Sequence, residues 1–190
     1  MNFLLQLDGN ILLWLQEYVR SDFLTPIMKG ITSLGNAGWF WIVLSILLCI
    51  PKKTRWLGIT GLLALAIGAL ITNIVLKNWV ARIRPYEVVE GLTLLVRKQK
   101  DFSFPSGHSC ASFAAAVAYY KAQKRTMTDD SLKKWGRVIS IASIVIAFLI
   151  AFSRLYVGVH YPSDVLGGIL IGCGAAWAAD WMVKKIQEKQ

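Results

Sequence analysis

Residues 57–76 read LGITGLLALAIGALITNIVL, a run without one charged side chain. A helix rises about 1.5 Å per residue and the hydrocarbon core of a bilayer is about 30 Å thick, so this stretch is long enough to cross a membrane. Working outward, Val138–Phe152 is also uncharged and is extended by Trp135 and Ser153, while Val165–Val183 is interrupted only by Asp180. Asn36–Ile50 and Ser109–Tyr120 are shorter and reach spanning length with their neutral flanks. None of these segments alternates strictly, and an open sheet edge cannot face lipid, so the spans are helices.

Composition agrees. The 190 residues are 55% hydrophobic and 17% charged, with a mean hydropathy of +0.50, whereas a soluble domain carries about 25% charged residues. Disorder and an ordinary water-soluble globule are both excluded. Cys49, Cys110 and Cys173 lie inside apolar segments, so there is no loop disulfide framework. The formal charge is +10, but its basic residues flank membrane segments, so no nucleic-acid partner is expected.

The first third is mixed. Asn2–Val19 intersperses Leu, Ile and Trp with Asp8, Gln16 and Glu17, as an amphipathic helix lying on the membrane surface would. Phe23–Leu34 contains Pro26 and Lys29 and is short for a span, giving six crossings, or five if it only dips in. Without a basic leading segment or a cleavage site, a removable signal peptide is not expected. The reading is therefore all-α: a polytopic membrane helical bundle of about six helices with an N-terminal amphipathic interfacial helix over residues 1–20. It forms one membrane-embedded domain, 1–190, with a motif-bearing core over 57–183.

Basic stretches at 51–56, 121–137 and 184–189 orient the bundle with those ends in the cytoplasm. The opposite face, 77–108 and 154–164, is basic too, and the orientation rule does not explain it. Small residues at helical spacing, Gly168 with Gly172, Ala64 with Gly68, and Ala111 with Ala115, favour close helix packing.

Three polar clusters occupy that opposite face. Lys77 and Arg84 are seven residues apart, two helical turns, and so share a helix face, with Pro85 ending the helix. On their own they are equally a pair snorkelling at the interface. Pro105-Ser106-Gly107-His108 feeds an apolar helix and offers unpaired N–H groups at the positive end of its dipole, although Ser106 also suits a simple cap. In Arg154-Leu-Tyr-Val-Gly-Val-His160-Tyr-Pro-Ser-Asp164, the Asp164 carboxylate can reach one nitrogen of His160, or merely cap the next helix. Both histidines of the chain fall in these clusters. Ionisable groups at membrane depth are functional candidates by default.

A two-His, one-carboxylate metal site from His108, His160 and Asp164 is disfavoured, because Lys77, Arg84 and Arg154 would repel a divalent cation. Those cations suit a phosphate dianion, which arginine binds through a two-pronged fork and lysine as a point charge. One imidazole then attacks phosphorus while the other protonates the departing oxygen. His160, with its carboxylate, is the better nucleophile, and His108 the better acid.

Lys77-x6-Arg84-Pro85, Pro105-Ser106-Gly107-His108 and Ser153-Arg154-x5-His160-x3-Asp164 together resemble the three signature motifs of the type-2 phosphatidic acid phosphatase superfamily. The resemblance covers Leu57 to the C-terminus. It implies a helical bundle with the site at the outer membrane face, dephosphorylation without metal or other cofactor, and a phosphohistidine intermediate. His160 then looks like the nucleophile, Asp164 its partner and His108 the acid/base, with Lys77, Arg84, Ser106, Gly107 and Arg154 binding phosphate. Vanadium haloperoxidases share these motifs but are mostly soluble and larger.

The expectation is an integral-membrane lipid phosphatase of the bacterial cytoplasmic membrane. Undecaprenyl pyrophosphate is the first candidate substrate, and phosphatidylglycerol phosphate and phosphatidic acid are the alternatives. A non-catalytic carrier of anionic lipid is the competing class.

Overall fold

The computed structural model describes residues 3–189, and no strand occurs among them. Helix α1 (Phe3–Tyr18) is followed by α2 (Leu24–Leu34), α3 (Trp39–Cys49), α4 (Arg55–Ala69) and two single turns, α5 (Lys77–Val80) and α6 (Pro85–Val88). Three long helices complete the chain: α7 (Gly107–Thr126), α8 (Asp130–Tyr156) and α9 (Pro162–Gln187).

Three stretches are long and apolar enough to cross a membrane: Arg55–Val88, Asp130–Tyr156 and Pro162–Gln187. The sequence counted 23–34 and 36–50 as separate segments. The structure joins α2 and α3 through a short turn at a 47° bend, so that together they have the length and composition of one broken span or a re-entrant loop. Each has 11 residues, roughly 16 Å of helix, too short to cross alone. Ala37 and Gly38 produce the break, with left-handed φ of 50° and 68°.

Helix α7 sits at the centre against α4, α8 and α9. It is not among the stretches apolar enough to span by composition. Surrounding helices shield it from lipid, which leaves it free to carry Ser109, Ser112 and Gln123 buried among them. The α7–α9 crossing is close because two glycines permit it. A methyl group on Gly168 would lie 2.5 Å from the Ser106 carbonyl oxygen, and one on Gly172 2.4 Å from that of Cys110.

Chain direction puts the ends of α5, α8 and α2 beside the starts of α7 and α9 at one end of the bundle. The basic stretches around 51–56, 121–137 and 184–189 lie at the other. There Asp180, the one charge in the sequence's 165–183 run, is paired with Arg125 (3.0 Å) and Lys121 (3.8 Å) of α7.

Helix α1 is oriented differently from a water-facing amphipathic helix. Its buried residues are Asp8, Gly9, Leu12 and Leu15, while Phe3, Leu4, Leu7, Trp14 and Tyr18 point outward. Part of its polar side is docked onto protein while Gln6, Asn10 and Glu17 stay exposed: Gln16 donates to the Gly91 carbonyl and accepts from the Thr93 N–H, and just beyond the helix Arg20 donates to the carbonyls of Tyr156 and Thr93.

Candidate active site

Lys77 follows a π-helical segment, Leu70–Leu76, that interrupts the long helix begun by α4. Such irregular turns are often found at functional sites. The expected two-turn helical spacing between Lys77 and Arg84 does not hold. Ala81 ends α5 with φ 47°, and Arg84 is extended (ψ 150°) ahead of Pro85 at the start of α6. The two side chains converge nonetheless, because both meet Asp101. Lys77 Nζ and Arg84 Nη2 each donate to its carboxylate, the latter at 2.6 Å. Arg84 is further fixed by the carbonyls of Asp101 and Val159, both at 2.8 Å.

Burial would raise the Asp101 carboxyl, but hydrogen bonds and charge from Lys77 and Arg84 prevail and pull it down to about 2. Asp101 is therefore an anion at neutral pH, seated on two of the cations expected to hold phosphate.

The third cation, Arg154, lies at the end of α8 and is buried. Its Nη1 donates to Thr32 of α2 at 2.6 Å, and its Nε has no partner among the described residues. A buried guanidinium N–H left unpaired is costly, and an anion in front of it would remove the cost.

Beside these cations begins α7. Ser106 caps it, its hydroxyl accepting from the Ser109 N–H and lying fully buried. Gly107 lines the cradle: a methyl there would make ordinary contacts, 3.4 Å from Asn73 Oδ1 and 3.9 Å from Lys77 Nζ. His108 packs on the α2–α3 bend. A methyl on Gly35 would come within 2.4 Å of His108 Cδ2, and the Asn36 side chain meets His108 Nε2 at 3.2 Å.

His160 occupies the loop between α8 and α9 and is almost wholly buried. Its Nε2 is 3.5 Å from Arg84 Nη1, and its Nδ1 is 3.5 Å from Asp164 Oδ2. Burial pushes the imidazole down to about 4, opposed by the neighbouring Asp164 carboxylate and reinforced by Arg154 and Arg84. The ring is neutral at pH 7, as a nucleophile must be. His108 lies in the same electrostatic neighbourhood, within reach of Arg154, His160, Lys77 and Arg84.

Asp164, at the first turn of α9, takes the Tyr161 N–H (2.9 Å) and the Ser103 hydroxyl on one oxygen, and Arg82 Nη1 (2.7 Å) on the other. It is thus both the cap foreseen as the plain alternative and the neighbour of His160.

All eight residues singled out from the sequence gather at this end of the bundle. Asp101, Asn36, Thr32, Ser103 and Arg82 were not anticipated. Arg82 stood inside the Lys77–Arg84 motif and Ser103 just ahead of the Pro105–His108 motif, and Gly35-Asn36-Ala37-Gly38 was a legible signal of a helix break. A cavity of about 680 Å³ opens from the site between α3 and α4, with Ile42, Leu62, Leu65, Ala66 and Ala69 on its walls and Lys77 and His108 at its head. No group of three or more metal-ligating side chains occurs among the described residues.

The sequence profile of the PAP2 superfamily matches residues 57–188. An undecaprenyl-diphosphatase of Sulfolobus acidocaldarius is 37% identical over 156 residues, 82% of this chain and 69% of that protein. Phosphatidylglycerophosphatase B of Bacillus subtilis is 35% identical over 159 residues, 81% and 72% of the respective chains. The crystal structure of a transmembrane PAP2-type phosphatidylglycerolphosphate phosphatase from Bacillus subtilis superposes with a TM-score of 0.79 at 32% identity, covering 98% of this chain and 89% of that one.

Proposed function

The chain belongs to the PAP2 superfamily and is a membrane lipid phosphatase, and from that premise we propose how its own residues perform the hydrolysis. The observation that carries the reading is the gathering of three buried cations at one end of the bundle, Lys77 and Arg84 on the same Asp101 carboxylate, Arg84 beside His160, and Arg154 with an unpaired Nε, where a cavity opens with Lys77 and His108 at its head. A phosphate group displaces the Asp101 carboxylate from Lys77 and Arg84 and pairs the free Nε–H of Arg154. N–H groups at the start of α7, from Gly107 onward, complete the cradle. Interactions that strengthen as the phosphoryl group becomes trigonal bipyramidal accelerate the reaction.

His160 Nε2 attacks phosphorus, forming an N–P bond as the P–O bond to the lipid breaks, and His108 gives its proton to the departing oxygen. Nδ1 keeps its proton, so the phosphorylated ring is cationic and Asp164 stabilises it. Water then attacks phosphorus, His108 takes its proton, and inorganic phosphate leaves with His160 restored.

The lipid chain lies between α3 and α4. Undecaprenyl pyrophosphate is the first candidate and phosphatidylglycerol phosphate the second, supported by the names of the two relatives; phosphatidic acid is the third. We further propose that α7 completes the crossings as a shielded central helix. Helix α1 lies along the membrane surface, and the basic ends face the cytoplasm of a bacterial cell. The site is then extracytoplasmic.

Purified protein in detergent, with a chelator present, should release inorganic phosphate from a panel of these lipids. Binding without release would instead indicate a carrier.

A further inference from the structure

Arg82 is a charged residue between the two cations of the first motif, yet it points away from the phosphate cradle. Its Nη2 donates to Asp8 Oδ2 of α1 at 2.8 Å, and its Nη1 donates to Asp164 Oδ1 at 2.7 Å and to Ser163 Oγ at 2.6 Å. The guanidinium lies 4.0 Å above the Tyr161 ring. Asp8 is buried although it sits on a helix whose other face is apolar and exposed. It accepts the backbone N–H of Ser163 at 3.1 Å and the Ser163 hydroxyl. Two carboxylates from opposite ends of the chain therefore grip one arginine, directly behind His160.

We propose that Asp8 and Arg82 are positioning residues for Asp164, so that the N-terminal helix is part of the catalytic apparatus and not only a membrane anchor.

This deepens the reading in which His160 is the nucleophile and Asp164 its partner, and it rests on that reading. The chemistry is that of a supported carboxylate. Asp164 touches His160 Nδ1 at 3.5 Å, so small rotations of the carboxylate decide whether it holds the Nδ1–H tautomer that leaves Nε2 free to attack. Arg82 fixes one oxygen while Ser103 and the Tyr161 N–H fix the other. Asp8 does two things. It anchors the second amino group of Arg82, so the fork cannot swing, and it balances the arginine's charge. The series Asp8⁻, Arg82⁺, Asp164⁻ presents one net negative charge to the ring that becomes a cation on phosphorylation. Without Asp8, Arg82 would cancel Asp164.

The test uses the full-length protein in detergent with Asp8→Asn, Arg82→Gln, Arg82→Lys and the double variant Asp8→Asn/Arg82→Gln. Arg82→Gln should lower kcat by about 100-fold and Asp8→Asn by about tenfold, each with KM changed less than about threefold, because the defect lies in the reacting ring and not in lipid binding. Arg82→Lys should restore part of the loss. The double variant should be no slower than Arg82→Gln alone, since the two residues act as one unit.

Nitrogen-15 NMR of the histidines supplies a readout that a structural role would not move. Wild-type His160 should be the Nδ1–H tautomer, and Asp8→Asn and Arg82→Gln should each gain the Nε2–H form. Wild-type kcat and an unchanged tautomer in Asp8→Asn, while His160→Ala and Asp164→Ala are inactive, would overturn this proposal and leave the site assignment standing. Full activity in His160→Ala and Asp164→Ala would remove the site assignment itself. Should Arg82→Gln not fold, Asp8→Asn, which keeps the size of the side chain and one of its two acceptor oxygens, still decides the matter.

Discussion

The two ends of this bundle carry the same kinds of charge and do different things with them. At one end Lys77, Arg84 and Arg154 are 7%, 4% and 3% exposed and are gripped by carbonyls, a hydroxyl and one displaceable carboxylate. At the other, Lys184 and Lys185 pair with Glu188 and Lys133 with Asp130, one turn away on their own helices and open to water. Lys121 and Lys124 rest on the rings of Trp177 and Tyr120. Cations in water adjust to any anion and are screened; cations held out of water act at full strength on one spot. Charge alone thus says nothing about function here. Fixed geometry and desolvation make one basic end a site, and the other a solvated surface.

The comparison breaks first at His160. Replacing it with alanine should abolish phosphate release, by about 10⁴-fold or more, while leaving lipid binding near normal. Arg154→Gln should cost about 10² to 10³ in kcat, because it removes a donor from the charge that builds in the transition state. At the opposite end, Lys133→Gln or Lys184→Gln should change kcat/KM by less than about twofold. A large loss there would erase the distinction.

Asp101 sharpens the contrast, since it alone holds site cations as a surface acid would. Asp101→Asn removes a competing anion, so inorganic phosphate should inhibit about five- to tenfold more strongly, read as the phosphate inhibition constant in steady-state kinetics. Equal or weaker inhibition would mean that the carboxylate is not seated where phosphate binds.

The smallest effect concerns protonation. Burial holds His160 down to about 4, below an ordinary imidazole at about 6.5, so the ring should stay neutral as pH falls to about 5. A bound phosphate dianion favours the imidazolium, and so should raise that value. With only two histidines in the chain, an NMR titration with and without inorganic phosphate resolves both. A free value near 6.5 would contradict the burial argument.

Much of this was legible in the sequence because polar groups in an apolar chain are conspicuous. His108, His160, Asp164 and the three cations stood out against uncharged surroundings, and their common end of the bundle followed from counting spans. What stayed hidden depended on distance and on backbone breaks. The Lys77–Arg84 spacing suggested one helix face, but the left-handed Ala81 ends the helix and an extended strand of backbone brings Arg84 round. Asp8 looked like the wet side of a surface helix, yet it is buried against Arg82, 74 residues away. Thr32 reaches Arg154 over 122 residues. Nothing local marks such a partner. The bend between α2 and α3 was signalled by two glycines, but its use, a seat for His108, required the packing.

The central claim is that His160 takes the phosphoryl group from a lipid held by buried cations. The most direct measurement is a rapid acid-free quench of the full-length protein during turnover, followed by peptide mass spectrometry under alkaline conditions. A phosphoryl group on the peptide carrying His160, formed in wild type and Asp101→Asn and absent in His160→Ala, is the expected result. Turnover with no adduct on His160, or an adduct on another residue, would contradict it.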